Sequence, residues 1–254
     1  NSGLATAGTI TVTVFNPASG GGEATPALTF TIGQGDTQIT LTSSGSPTAW
    51  TQPVTLTASI TQTFTARRPR DIAPGGSITF TDSTTGNIIC GNVAANSWQA
   101  ICSTTTLTVG LHSIVATFSG DANYIGGTST IPLSHTINKT NAPTTLASSL
   151  NPSLVAQVVM FTVIVGSSSL AKPRGKLPNT SACLFGGTVQ LKDGAASLGT
   201  AQALDVNCHA TLTTNLLSVG THPITAVYSG DGNYIGNTSN QVNQVVNNAK
   251  LFLP

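Results

Sequence analysis

Asp121 and Asn123 stand two apart in Ser119-Gly120-Asp121-Ala122-Asn123-Tyr124, and the arrangement returns as Asp231 and Asn233 in Ser229-Gly230-Asp231-Gly232-Asn233-Tyr234. A carboxylate and an amide oxygen at this spacing could begin a calcium site. Calcium takes roughly six to eight oxygens, and no local cluster finishes the shell. The competing reading is a turn in which Asp and Asn bond to their own backbone while the Tyr ring packs inward and keeps its hydroxyl paired. His112 and His222 occupy equivalent places, and neither has a second ligand at metal spacing, which makes them structural histidines. No serine sits in a Gly-x-Ser-x-Gly context and no paired carboxylates are discernible. These residues argue for no catalytic site, no metal and no cofactor.

Cysteine and basic chemistry is more suggestive. Cys90 and Cys102 fall in one repeat, Cys183 and Cys208 in the next. An even number so distributed suits an oxidising, extracellular setting. Cys90 and Cys102 flank the turn-like segment Asn92-Val93-Ala94-Ala95-Asn96-Ser97, and opposite positions on a hairpin bring α-carbons within disulfide reach. Two intrachain bonds are expected, Cys90–Cys102 and Cys183–Cys208, the second pinning the long loop before Val189 to the body. Arg67, Arg68 and Arg70 precede Gly76, while Lys172, Arg174 and Lys176 precede Gly187, so six of the nine basic residues occupy one repeated place. Loops held on a rigid scaffold are common binding surfaces, and clustered Arg and Lys favour carboxylates, sulfates and phosphates. Contact with a partner or another subunit, plain solvation, and binding of an anionic ligand or glycan all remain open.

The elements that position these residues follow from a repeat and from alternation. Val109–Ser129 returns as Val219–Ser239 with 14 of 21 positions identical. A unit of this length exceeds a solenoid repeat and can hold its own two-sheet core. In the first copy, Ile39 and Leu41, then Val54, Leu56, Ala58 and Ile60, then Ile78 and Phe80, then Ile114, Ala116 and Phe118 each mark one strand face. The second copy repeats this with Val158, Met160, Thr162 and Ile164, then Val189 and Leu191, then Ile224, Ala226 and Tyr228. Upstream, Thr9–Phe15 and Ala27–Ile32 alternate around a Gly-rich separator and read as two strands. Two strands make no stable domain. Val12, Val14, Leu28, Phe30 and Ile32 therefore need a covering sheet, from upstream sequence or from another molecule. The expected division is 1–35 as a partial module or intersubunit strand segment, 36–138 and 139–248 as complete domains, and 249–254 as a tail or the start of another module.

Composition narrows the function. Nine basic and eight acidic residues in 254 leave a formal charge of +1, far below the charge density of ordinary soluble surfaces. Thr and Ser supply 67 residues, so the exterior is hydroxylated and mutual repulsion between molecules is weak. A nucleic-acid binder would carry a larger basic excess. No apolar run approaches the roughly eighteen residues a membrane span needs. Nor is there a basic start followed by a hydrophobic stretch, so any secretion signal is expected to have been removed or to lie outside these residues. Asn-x-Ser/Thr triplets begin at Asn138, Asn179 and Asn237.

Gly76-Ser77-Ile78-Thr79-Phe80-Thr81-Asp82, Val109-Gly110-Leu111-His112 and Ser119-Gly120-Asp121-Ala122-Asn123-Tyr124 resemble the bacterial immunoglobulin-like repeats of large surface and secreted proteins. Gly187-Thr188-Val189-Gln190-Leu191-Lys192-Asp193, with Val219-Gly220-Thr221-His222 and the second Ser-Gly-Asp motif, is similar to the same family. Val12-Thr13-Val14-Phe15-Asn16-Pro17 and Ala27–Thr31 look like the last strands of a transcription-factor-type immunoglobulin-like module. The resemblance implies an all-β fold of tandem immunoglobulin-like sandwiches with an additional N-terminal hairpin, at an extracellular or cell-surface location. It implies spacers, stalks or adhesins and no catalytic residues. The chain departs from the usual repeat in its added cysteines and in one lengthened loop per copy. The expected function is a structural subunit of a surface fibre, filament or stalk, partnered by copies of itself or neighbouring domains. The alternative is an adhesin or carbohydrate-binding module using the basic loops.

Overall fold

Apolar and hydroxylated residues alternate along most of the chain, and β-branched Thr fits the pleated surface such alternation builds. The computed structural model describes residues 7–13, 28–63, 73–166 and 183–249, and every regular element among them is a strand. No helix of the described residues is long and apolar enough to cross a membrane. The chain divides into two compact units, Asn1–Ile137 and Asn138–Pro254.

The first unit opens with a hairpin, β1 (Gly8–Val12) and β2 (Leu28–Ile32), in an antiparallel register that sets Ile10 opposite Phe30 and Val12 opposite Leu28. Because strand side chains alternate, Ile10, Val12, Leu28, Phe30 and Ile32 share one face and Thr9, Thr11, Thr29 and Thr31 the other. Val14 lies outside the described residues. Then follow β3 (Thr37–Ser43), β4 (Thr48–Ala49), β5 (Val54–Gln62), β6 (Ser77–Asp82), β7 (Asn87–Ala94), β8 (Gln99–Thr104), β9 (Gly110–Phe118), β10 (Gly127–Thr128) and β11 (Leu133–Asn138). One sheet runs β3-β5-β8 and the other β4-β11-β9-β6-β7, with β10 also on β9. Val54, Leu56, Ala58 and Ile60 from β5 share one core with Ile78 and Phe80 from β6 and Ile114, Ala116 and Phe118 from β9.

The second unit repeats the plan with β12 (Thr140–Asn141), β13 (Thr144–Ser148), β14 (Ser153–Leu154), β15 (Val159–Val165), β16 (Thr188–Asp193), β17 (Ala196–Ala203), β18 (His209–Thr214), β19 (Gly220–Gly230), β20 (Tyr234–Thr238) and β21 (Val242–Asn247). Its sheets are β13-β15-β18 and β12-β20-β19-β16-β17, with β21 joining β19 and β14 joining β21. The sequence-based face of β15 is corrected by one residue. Val159, Phe161, Val163 and Val165 are buried, whereas Val158, Met160 and Ile164 are exposed and Thr162 is half-buried. Apolar residues stand at both parities of this strand, so alternation cannot choose its face. The register with β13, which sets Leu146 opposite Val163 and Thr144 opposite Val165, chooses it.

Candidate functional site

The Ser-Gly-Asp-x-Asn-Tyr turns are the most elaborately bonded places in both units. The Asp121 carboxylate accepts from its own turn, at Oδ1 from Asn123 N–H (2.7 Å) and Tyr124 N–H (2.9 Å), and at Oδ2 from Gly75 N–H (2.6 Å). Asp231 does the same with Asn233 N–H (2.8 Å), Tyr234 N–H (2.8 Å) and Gly186 N–H (2.7 Å), and adds the Tyr228 hydroxyl at 3.2 Å. Burial works to raise the Asp231 pKa, but the bonds from Asn233, Gly186, Tyr234 and Tyr228 outweigh it and hold the carboxyl below its ordinary value. Burial first, and the Asp231 charge second, push the Tyr228 phenol up. These carboxylates are anchors for backbone N–H groups. Gly120 and Gly230 each adopt φ +75°, where a Cβ would stand 2.6 Å from the nitrogen of Gly126 or Gly236.

The turn also holds the segment leading into its own sandwich. Gly35 N–H donates to Asn123 C=O (2.8 Å), Ile125 N–H donates to Gly35 C=O (2.9 Å), and Gln34 Nε2 reaches Asp121 C=O (2.6 Å). In the second unit Thr140 and Asn141 pair in parallel with Tyr234 and Ile235, and Lys139 Nζ reaches Asp231 C=O (2.5 Å). Each Tyr is a buried plug beneath the turn. Tyr124 meets Trp98 edge-on at 5.3 Å and its hydroxyl accepts from Gln62 Nε2 (2.6 Å), while Tyr234 packs on Phe185 at 4.3 Å.

The equivalent histidines pair with aspartates that alternation alone did not flag. His112 Nδ1 lies 2.9 Å from Asp82 Oδ2 and its Nε2 lies 2.8 Å from Thr108 C=O. His222 repeats this with Asp193 (2.6 Å) and Ser218 C=O (2.9 Å). Carboxylates and carbonyls only accept, so each ring nitrogen of both histidines faces an acceptor. The bond to Ser218 C=O, supported by Asp193, raises the His222 pKa against the effect of burial. Burial would raise the Asp82 pKa, yet the bonds from His112, Thr85 and Thr84 leave it below the ordinary carboxylate value.

Cys90 bonds to Cys102 with α-carbons 6.1 Å apart, and Cys183 to Cys208 at 4.9 Å. The first bond differs from the expected cross-hairpin link, because Cys90 lies on β7 and Cys102 on β8, strands of different sheets. It ties the two layers together. Cys208 stands just before β18, with φ +63°. Arg67, Arg68, Arg70, Lys172, Arg174 and Lys176 all lie outside the described residues. The described residues that follow them, Gly75 and Gly186, are the ones held by Asp121 and Asp231.

Two stretches, residues 41–138 and 140–247, match the bacterial Ig-like domain (group 3). The chain belongs to that family. No characterised protein sequence matches it. Among solved structures it is similar to the adhesin InvE of Yersinia pseudotuberculosis, at 14% identity and TM-score 0.37, over 81% of this chain and 58% of that one. The Escherichia coli adhesin FdeC aligns at 14% identity and TM-score 0.31, over 95% of this chain and 74% of that one. Fibronectin(III)-like modules of Clostridium thermocellum CbhA align at 10% identity and TM-score 0.27, over 82% and 95% of the two chains. These likenesses reflect the fold alone.

The Ig-like fold is one of non-catalytic structural and adhesion domains, and the family together with the disulfides points to an extracellular or cell-surface location. Sequence reading picked out the Ser-Gly-Asp-x-Asn-Tyr motif but assigned its Asp only to its own turn. The signal for its wider role was present in the repeat: Gly75-Gly76 and Gly186-Gly187 precede β6 and β16 at matching places, where backbone must approach backbone. A Cβ on Gly76 would sit 2.4 Å from Gly120 C=O, and one on Gly187 2.3 Å from Gly230 C=O.

Proposed function

We propose that the chain is an extracellular, non-catalytic run of Ig-like modules that displays a contact surface outside the cell, as an adhesive stalk. The repeated clasp at Asp121 and Asp231 is the observation that carries this reading. One carboxylate in each module fixes the signature turn and the end of the basic segment, and the turn backbone holds the lead-in strand. Only Lys139 separates β11 from β12. The contact residues are Arg67, Arg68 and Arg70 in one module and Lys172, Arg174 and Lys176 in the next. Their partner is an anionic surface or a glycan bearing carboxylates or sulfates, which guanidinium and ammonium groups recognise. Recognition of a neutral sugar on an aromatic platform has less support, since Trp98 packs against Tyr124 and both Trp50 and Trp98 lie against the core.

Two measurements test the proposal. An antibody raised against the two modules should label intact cells, and the purified chain should bind immobilised sulfated polysaccharide at low salt and be released as salt rises. Replacing all six basic residues with Gln should abolish that binding and leave the fold unchanged. Labelling that appears only after lysis would overturn the display reading. Undiminished binding by the six-fold variant would overturn the contact assignment.

A further inference from the structure

The two modules finish one sheet edge differently. In the second, β13 is the outer strand of its sheet, and the bond from Ser149 N–H to Met160 C=O sets an alternation that turns the Leu146 N–H and C=O away from β15. Asn240 takes both groups: Leu146 N–H donates to its Oδ1 (2.9 Å) and its Nδ2 donates to Leu146 C=O (3.0 Å). A side-chain amide thus stands in for the peptide group of a neighbouring strand.

In the first module Leu41 on β3 is the counterpart, turned outward by the same alternation from the bond between Ser44 N–H and Thr55 C=O. The residue matching Asn240 is Thr130. Each follows a serine, Ser129 or Ser239, whose hydroxyl accepts from the equivalent strand N–H, that of Ala116 or Ala226. A threonine presents donor and acceptor on a single oxygen and lacks the separate N–H and C=O atoms with which the Asn240 amide brackets Leu146. Beside Leu41 there is instead an open groove of about 270 Å³, walled by Ile39, Leu41, Ile131, Pro132 and Leu133 and free of charged side chains. Ile131 in its rim is 80% exposed. An unprotected sheet edge flanked by apolar walls is a place for a strand to add.

The same chain carries an uncovered surface of matching chemistry. The β1–β2 hairpin presents Val12, Leu28 and Phe30 at 50%, 70% and 58% exposure. Among the described residues neither strand pairs with a third strand, and the hairpin carries no charged side chain. In a second copy the three-stranded sheets are already occupied by their own cores, whereas the groove at Leu41 is open. We propose that the hairpin of one copy docks into the groove of a second copy, its edge adding to β3 at Leu41 and Phe30 filling the space between Leu41, Ile131 and Leu133. The two surfaces are different, so the contact is heterologous and can repeat from copy to copy into a fibre. A two-stranded hairpin is marginal alone, which makes its ordering dependent on the dock. The adhesive-stalk reading stands for a monomer as well, so the two fail separately.

Sedimentation velocity of the full chain over a range of concentrations tests the dock. The wild type should associate with rising concentration. Thr130→Asn, which installs the amide of the second module, and Phe30→Asp should each leave monomers. Both sites are exposed and outside the sandwich cores, so the thermal unfolding of the two sandwiches should be unchanged. Mixing the two variants should restore a one-to-one dimer and nothing larger, since only the Thr130→Asn hairpin and the Phe30→Asp groove stay competent. A monomeric wild type, association that survives Thr130→Asn, or a mixture that stays monomeric would overturn the proposal.

Discussion

Where the first module buries a histidine, the second buries a glutamine. His135 on β11 stands opposite His112 on β9, and Gln244 on β21 stands opposite His222 on β19. His135 bonds to the Thr48 hydroxyl (2.6 Å) and the Ser43 hydroxyl (3.1 Å). Gln244 accepts from the Ser148 hydroxyl (2.6 Å) and donates to Leu150 C=O (2.9 Å) and the Ser153 hydroxyl (3.2 Å). Both side chains fasten the last strand to the start of the module. An uncharged amide serves at this place, so the work is hydrogen bonding. At the neighbouring place both modules keep His with Asp, the ring spanning a carboxylate on one strand and a backbone carbonyl. The pair of positions separates an imidazole that both modules keep from one that an amide replaces.

The charged pair should show the largest difference between modules. Side-chain exposure is 5% and 4% for His112 and Asp82, against 13% and 28% for His222 and Asp193. Removing one partner of a buried pair strands the other charge, a loss of about 3–5 kcal/mol, and water at the second pair reduces the loss there. Asp82→Ala should therefore lower the unfolding transition of the first module well below the effect of Asp193→Ala on the second. Thermal unfolding of the full chain measures both, and equal shifts would show that burial does not set the strength of the pair. On the alkaline side the raised His222 pKa fixes the sign. Its contribution is complete below the unfolded value of 6.5 and is lost as pH rises through the folded value.

The two clasps offer a finer comparison. Asp231→Ala leaves the Gly186, Asn233 and Tyr234 N–H groups without their acceptor and removes the longer of the two bonds of the Tyr228 hydroxyl, which keeps Gly186 C=O at 2.8 Å. Asp121→Ala leaves only backbone N–H groups, those of Gly75, Asn123 and Tyr124, because Phe118 stands where the second module has Tyr228. With unsatisfied donors at about 1–3 kcal/mol when buried and less where water reaches them, both losses are expected at about 2 kcal/mol, the Asp231→Ala loss the larger by less than about 1 kcal/mol. In a Tyr228→Phe background the Asp231→Ala loss should fall to the Asp121→Ala value. If it stays the same, the phenol contributes nothing to the clasp.

Much of this was legible in the sequence, and the misses share a cause. Alternation located the core of β5, β6, β9, β16 and β19, because one parity of each carries more hydroxylated, charged or amide residues than the other. It missed the face of β15, where both parities are apolar and only pairing with β13 decides. Spacing put Cys90 and Cys102 on one hairpin, but short separation along a chain does not say when the chain crosses between sheets. The clasp of Asp121 on Gly75 joins residues from distant parts of the sequence, and the repeated Gly pairs mark a close backbone approach without saying which carboxylate meets it. The open groove at Leu41 rests on one substitution, Thr130 for Asn240, and its meaning appears only when the two edges are compared as structures.

The smallest expected effect isolates His135 itself. Burial lowers its pKa below 6.5, and the charge on His112 lowers it further. Among the described groups around it, Ser43 and Thr48 carry no charge, and His112 and Asp82 are engaged with each other. With the folded value depressed, the unfolded chain binds the proton more readily. The stability that the neutral ring contributes is therefore present above the unfolded value and is lost as pH falls through the folded one. The first module should melt progressively lower on acidification from pH 7 towards 5, while Gln244 gives the second module no such loss. His135→Gln should change stability at pH 7 by less than about 1 kcal/mol, since one uncharged hydrogen-bonding group replaces another. Under acid it should remove the extra decline of the first module. Melting curves of wild type and variant at several pH values measure this directly. A decline that persists in His135→Gln would place the acid sensitivity elsewhere, with the Asp82 carboxylate the next group to titrate.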